Sequence, residues 1–155
     1  MAIQEPINIS RYLDSSCVIF LDASLRNEAI DALINLLDQS GRLFNKTVFR
    51  KAVFDREELI STGIGMGVAV PHAKLSGFSD FFIAVGIQQK RGIEWDAIDN
   101  SPVRYIFLIG GPDDRQSEYL QILSQLTCAI KEQDLRKTLL HATNSTEVLA
   151  AFGAK

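Results

Sequence analysis

From Ser24 to Gly41 apolar residues recur at helical spacing, with Leu25, Ala29, Ile30, Leu33, Leu36 and Leu37 on one face. That period predicts an amphipathic helix with Ser24 as its N-cap and Gly41 as its C-terminal stop. Asn45 can cap a second helix whose apolar face is Val48, Phe49, Ala52, Val53 and Phe54 and which frays near Leu59, ahead of a run of glycines. The glycines predict a loop. The pattern then changes: Val68 to Val70, Phe81 to Ile87 and Val103 to Ile109 are short aliphatic and aromatic runs bounded by Gly, Pro, Ser or Asp, as buried strands are. After Gly110, Gly111 and Pro112 the helical period returns, with Leu120, Leu123, Leu126, Thr127 and Ile130 on one stripe and Ser117 as the cap. Asn144, followed three residues later by Glu147, marks the start of a last short helix.

Helices at both ends of a strand-rich middle predict an α/β fold, a sandwich of a mixed mid-chain β-sheet flanked by helices. The strands between 81 and 109 are too closely spaced for helical crossovers, so a mixed sheet is expected over a purely parallel one. The length, 155 residues, suits a single domain spanning 1–155, which buries about two-thirds of its unfolded surface.

Composition changes this picture only by exclusion. With 46% hydrophobic and 23% charged residues the chain is expected to be compact, not disordered. The net charge is −3 and the 16 basic residues are interspersed with acidic ones, so no stripe exists to track a nucleic acid. Met1 to Arg11 has no basic segment followed by an apolar run, and no stretch of about 18 apolar residues occurs, so a cytoplasmic protein without direct membrane insertion is expected. Cys17 and Cys128 lie far apart with no ligand-spaced partner, which favours two buried thiols over a disulfide or a metal site. Neither a metal nor a cofactor is expected.

Chemistry concentrates between Asp55 and Lys74. Gly63, Gly65 and Gly67 resemble a phosphate-cradling loop, but no Gly-Lys-Ser/Thr follows and the next element reads as a strand, so both nucleotide fingerprints fail. A turn needing positive φ is the stronger reading of these glycines; direct anion binding stays open. Pro71 should end a strand and leave His72 just beyond the sheet edge. A neutral imidazole there can attack through one ring nitrogen while the other donates a hydrogen bond, which is what accepting a phosphoryl group requires. Arg56 suits a bidentate grip on phosphate oxygens and Lys74 offers a point charge. Both could equally be solvated surface charges, Arg56 in particular paired among Asp55, Glu57 and Glu58. His141 reads as a surface residue at a helical C-terminal end.

Arg56-Glu57-Glu58-Leu59, Ser61-Thr62-Gly63-Ile64-Gly65 and Gly67-Val68-Ala69-Val70-Pro71-His72-Ala73-Lys74 together resemble the signature of the EIIA domain of the fructose/mannitol type of the sugar phosphotransferase system. The resemblance continues through Ile93 to Asn100, Pro102-Val103 and the helix around Leu120, Leu123 and Leu126, and as a free domain the chain is similar to the nitrogen-regulatory EIIA branch. It implies an α/β sandwich and a histidine phosphorylated on Nε2 by an HPr-type phosphocarrier protein. His72 matches that histidine and Arg56 the phosphate-stabilising arginine; Thr62, Gly63, Gly65, Lys74 and Tyr119 are the further candidates around the phosphate. Where family members commonly carry a second histidine on the later helix, this chain aligns Tyr119. A phenol does not become cationic near neutral pH, so acceptance is expected to survive better than onward transfer. The expected role is a regulatory phosphoryl carrier acting on target proteins. The alternatives are a sugar-transport EIIA serving a separate EIIB, or a module that binds an anion without a covalent step.

Overall fold

A computed structural model describes residues 8–153. Met1 to Ile7, most of the segment in which no basic stretch precedes an apolar run, lie outside the described residues, as do Ala154 and Lys155. Two short 3-10 turns, Ile9–Tyr12 and Ser15–Cys17, lead into β1 (Val18–Phe20), α1 (Arg26–Gln39) and α2 (Lys46–Leu59). The strands β2 (Gly63–Gly65), β3 (Val68–Ala69), β4 (His72–Lys74), β5 (Phe82–Ile87) and β6 (Tyr105–Gly111) follow, then α3 (Gln116–Ile130), α4 (Gln133–His141) and α5 (Ser145–Ala151).

The sheet runs β1-β5-β6-β3-β2, with β4 also pairing β6 beyond the end of β3. Pairing is mixed, as expected: β5 and β6 are antiparallel, while β3 and β4 both run parallel to β6. Alternate residues of β5 face opposite layers. Ile83, Val85 and Ile87 pack with Tyr119, Ile122, Leu126 and Ile130 of α3 and with Leu139 and Val148 of α4 and α5. Phe82 and Ala84 pack with Ile30, Leu33 and Leu37 of α1 and Phe49 and Val53 of α2. The α1/α2 layer sits close because small residues line that face. A Cβ on Gly110 would come within 2.4 Å of Phe82 and 2.9 Å of Phe49.

Several local expectations are met. Asn45 accepts from the Val48 N–H at 3.1 Å, and Asn144 from the Glu147 N–H at 2.9 Å. Gly41 adopts φ +78°, with Gly41 N–H donating to Asp38 and Arg42 N–H to Leu37, the paired bonds of a Schellman ending.

Other expectations need correction. Ser24 does not cap α1: Leu25 takes that position without a side-chain bond, its backbone drawn into a bridge with Glu94. Ser117 lies inside α3, because Arg115, held by Asp80, Glu118 and the Ser79 carbonyl, occupies the cap position. The buried stripe of α3 is Tyr119, Ile122, Leu126 and Ile130, and Leu120 is 52% exposed. Two apolar stripes lie side by side on that helix, and packing against the sheet selects one. The glycine run is not wholly loop, since Gly63–Gly65 forms β2 in a hairpin with β3. The strands β1 and β4 and the separate helix α4 have no counterpart in the sequence reading. Cys17 is buried, but Cys128 is exposed on the outer face of α3; both thiols are free.

Candidate functional site

His72 does not lie beyond the sheet. Pro71 interrupts the chain after β3 by withholding its own N–H, yet its carbonyl accepts from Ile109, and the strand re-enters as β4 with His72 opposite Ile109. Among the described residues β4 pairs only with β6, so the site forms on an open edge. Ala73 packs into the α1/α2 layer; by strand alternation His72 and Lys74 point the other way, toward α3.

There Tyr119 meets both. The His72 and Tyr119 ring centroids are 5.4 Å apart, and Lys74 Nζ lies 4.3 Å from the Tyr119 centroid while also donating to Gln116 on the first turn of α3. Phe81 backs Tyr119 from the far side at 6.2 Å between centroids. From the opposite layer, Arg56 in the last turn of α2 joins Ala52, His72, Ala73 and Lys74 around a shallow depression of about 360 Å³.

His72 Nδ1 lies 3.1 Å from the Val70 carbonyl oxygen. A carbonyl only accepts, so Nδ1 carries the proton and the lone pair resides on Nε2. Burial, with the nearby Arg56 and Lys74 charges, outweighs the Val70 bond and Glu57 and pushes the His72 pKa below its usual 6.5. The ring is therefore neutral at neutral pH. Burial likewise raises the Tyr119 phenol, against the opposing pull of Arg56.

Arg56 is not absorbed into the acidic run around it. Asp55 pairs with Lys51 at 2.6 Å, Glu57 turns inward, and Arg56 Nη1 donates to the Ile60 carbonyl at 2.8 Å. Of the residues expected near a phosphate, His72, Arg56, Lys74 and Tyr119 come together, whereas Thr62, Gly63 and Gly65 do not join them. Thr62 is buried with its N–H and hydroxyl both donating to Glu57, at 2.7 and 2.6 Å. Gly63 and Gly65 lie across from Ala69 and Val68. At about 3.3 Å per residue and about 4.8 Å between strands, that is roughly 11 and 14 Å from His72. Gly63 instead makes room for Ala97, which its Cβ would approach to 2.8 Å, and Gly65, Met66 and Gly67 turn the hairpin with φ of +95°, +59° and +76°.

Glu57 was missed as a candidate. Its side chain, 2% exposed, also accepts from Trp95 Nε1 at 3.1 Å. A signal was present, because Phe49, Val53 and Glu57 recur every four residues and are the buried residues of α2. His141 is exposed and bonds the Lys137 carbonyl within α4. Among the described residues no three His, Cys, Asp or Glu side chains cluster as metal ligands would, and no helix is long and apolar enough to cross a membrane.

A family model described as phosphoenolpyruvate-dependent sugar phosphotransferase system, EIIA 2, matches residues 11–154. The fructose-specific EIIABC component of Bacillus subtilis is 30% identical over 129 residues, 83% of this chain and 20% of that protein, so the chain spans about a fifth of that relative. The fructose-specific EIIA component of Haloferax volcanii is 33% identical over 120 residues, 77% of each chain. The crystal structure of nitrogen regulatory protein IIA-Ntr from Neisseria meningitidis matches with a TM-score of 0.85 at 27% identity, covering 93% of this chain and 98% of that one.

Proposed function

The chain belongs to the EIIA 2 family of the phosphoenolpyruvate-dependent sugar phosphotransferase system, and from that premise we propose that it is a phosphoryl carrier loaded on His72 Nε2 by an HPr-type phosphocarrier protein. The observation that carries this reading is the Nδ1 contact with the Val70 carbonyl, which leaves the Nε2 lone pair as the nucleophile beside Arg56 and Lys74. As that lone pair forms the new P–N bond, the donor's P–N bond breaks and its electron pair returns to the donor ring. The Nδ1 proton stays on His72, where the Val70 carbonyl stabilises the positive charge gathering on the ring. Arg56 and Lys74 neutralise the equatorial oxygens.

The carrier acts as a regulatory signal on target proteins, a reading supported by the likeness to the nitrogen regulatory protein and by a phenol, Tyr119, as the α3 ring packed beside the reacting imidazole. The fructose-specific names of two relatives favour a second reading, delivery to a separate EIIB-type acceptor.

The test is incubation of the chain with phosphoenolpyruvate and the upstream phosphotransfer proteins, followed by mass spectrometry. The parent should gain one acid-labile, base-stable phosphoryl group and His72→Ala none. Persistent labelling of His72→Ala would place the chemistry elsewhere.

A further inference from the structure

The carboxylate of Glu57 is in an expensive place. It is 2% exposed, forms no ion pair among the described residues, and sits in the last turn of α2, where the helix dipole disfavours negative charge. Three neutral donors satisfy it: Thr62 N–H and hydroxyl, and Trp95 Nε1. A glutamine could not reproduce this, because its single oxygen accepts while its amide would point hydrogens at one of those donors.

Two routes lead from this anchor to the reacting groups. In one, Thr62 N–H is tied to Glu57, the Thr62 carbonyl accepts from Val70 N–H at 3.0 Å, and the Val70 carbonyl accepts from His72 Nδ1. In the other, the Glu57–Thr62 clamp closes the turn after α2, and within that turn the Ile60 carbonyl holds the Arg56 guanidinium. One buried side chain thus stands behind both the imidazole orientation and the arginine position.

We propose that Glu57 is a positioning residue for phosphoryl transfer, fixing the Nδ1–H tautomer of His72 through Thr62 and Val70 and the place of Arg56 through Ile60. The proposal rests on His72 being the phosphoryl acceptor. The Glu57 charge also raises the His72 pKa from a distance, against the lowering by Arg56 from α2 and Lys74 from β4, with the neutral Tyr119 phenol on α3 beside the ring. Its removal should therefore lower the His72 pKa further.

The experiment compares the full-length parent with Glu57→Gln. Nitrogen-15 NMR of the imidazoles should show the parent His72 protonated on Nδ1 at pH 8 and the variant with a mixture of tautomers. The phosphorylation rate at saturating HPr-type donor should fall roughly tenfold, within the up to about 10²-fold cost of misplacing reacting groups, with KM for the donor little changed. The acid limb of the rate profile should move to lower pH. A folded Glu57→Gln with the parent's tautomer, rate and pH profile overturns the proposal.

Should Glu57→Gln fail to fold, Thr62→Val and Trp95→Phe each remove one donor to the same carboxylate. A smaller rate loss and tautomer shift in the same direction are then expected, and no change in either overturns it. If the parent itself is not phosphorylated on His72, the carrier reading fails, and the tautomer measurement still decides the positional claim.

Discussion

Replacing Tyr119 by histidine should make this protein a faster phosphoryl donor while changing its loading less. Tyr119 is 5% exposed and its ring centroid lies 5.4 Å from that of His72, so it is the α3 side chain placed to act on the departing phosphoryl group. Its phenol stays neutral, since burial raises its pKa. An imidazolium at a similar distance would attract each unit of negative charge by about 3 kcal/mol at an effective dielectric of 20, and by about 0.8 kcal/mol at that of water. The burial and cations that lower the His72 pKa also oppose protonation of the new ring. Each pH unit above the new pKa costs about 1.4 kcal/mol of that gain. The net expectation near pH 6.5 is roughly 1.4 kcal/mol, or about tenfold faster release to an EIIB-type acceptor.

The assay isolates the phosphorylated protein and follows single-turnover loss of label to the acceptor, with loading by the upstream carrier measured at the same pH. Tyr119→His also loses the contact between Lys74 Nζ and a buried ring, worth between about 0.5 and 2 kcal/mol, so thermal unfolding must show that both proteins are folded during the assay. Equal release rates for folded parent and variant would refute the charge argument, and fast release by the parent would favour the sugar-delivery reading.

Two further outcomes follow from the same geometry. Arg56→Ala should slow phosphorylation by roughly 10²-fold, as other single charge-stabilising donors do, with an unchanged circular dichroism spectrum; a parental rate would return Arg56 to the surface charges. Because the folded His72 pKa lies below 6.5, the unfolded chain binds the extra proton first. The contribution of His72 to stability is therefore complete above about pH 6.5 and is lost as pH falls through the folded value. Urea midpoints at pH 7.5 and 5.5 should fall further in the parent than in His72→Gln, and equal falls would contradict the lowered pKa.

The parts of the fold legible in the sequence are those dictated by local chemistry. Asn45 and Asn144 cap because their side chains reach an N–H three residues on, and β5 and β6 read as strands because they are buried on both faces. What stayed hidden depends on partners distant in sequence. Strands of three residues such as β1 and β4 have too few positions to show a period, and they exist because β5 and β6 supply their hydrogen bonds. The same holds for the site. His72 and Arg56 were recognisable from the motif, and the favoured turn reading of the glycines holds at Gly65 and Gly67, with φ of +95° and +76°; the alternative of direct anion binding does not hold for Gly63 and Gly65, which face Ala97 and Asp99.

Glu57 marks the limit most sharply. Within Asp55-Arg56-Glu57-Glu58 it reads as one more solvated carboxylate, and the four-residue spacing from Phe49 and Val53 says only that it faces inward. An inward carboxylate without a cation demands neutral donors, and those come from the next turn and from Trp95, on the segment before β6. Only the fold brings Trp95 to α2. Once it does, the buried charge becomes the common support of a histidine on the sheet edge and an arginine on the neighbouring helix, which is why a carboxylate pointing away from the depression bears on the chemistry inside it.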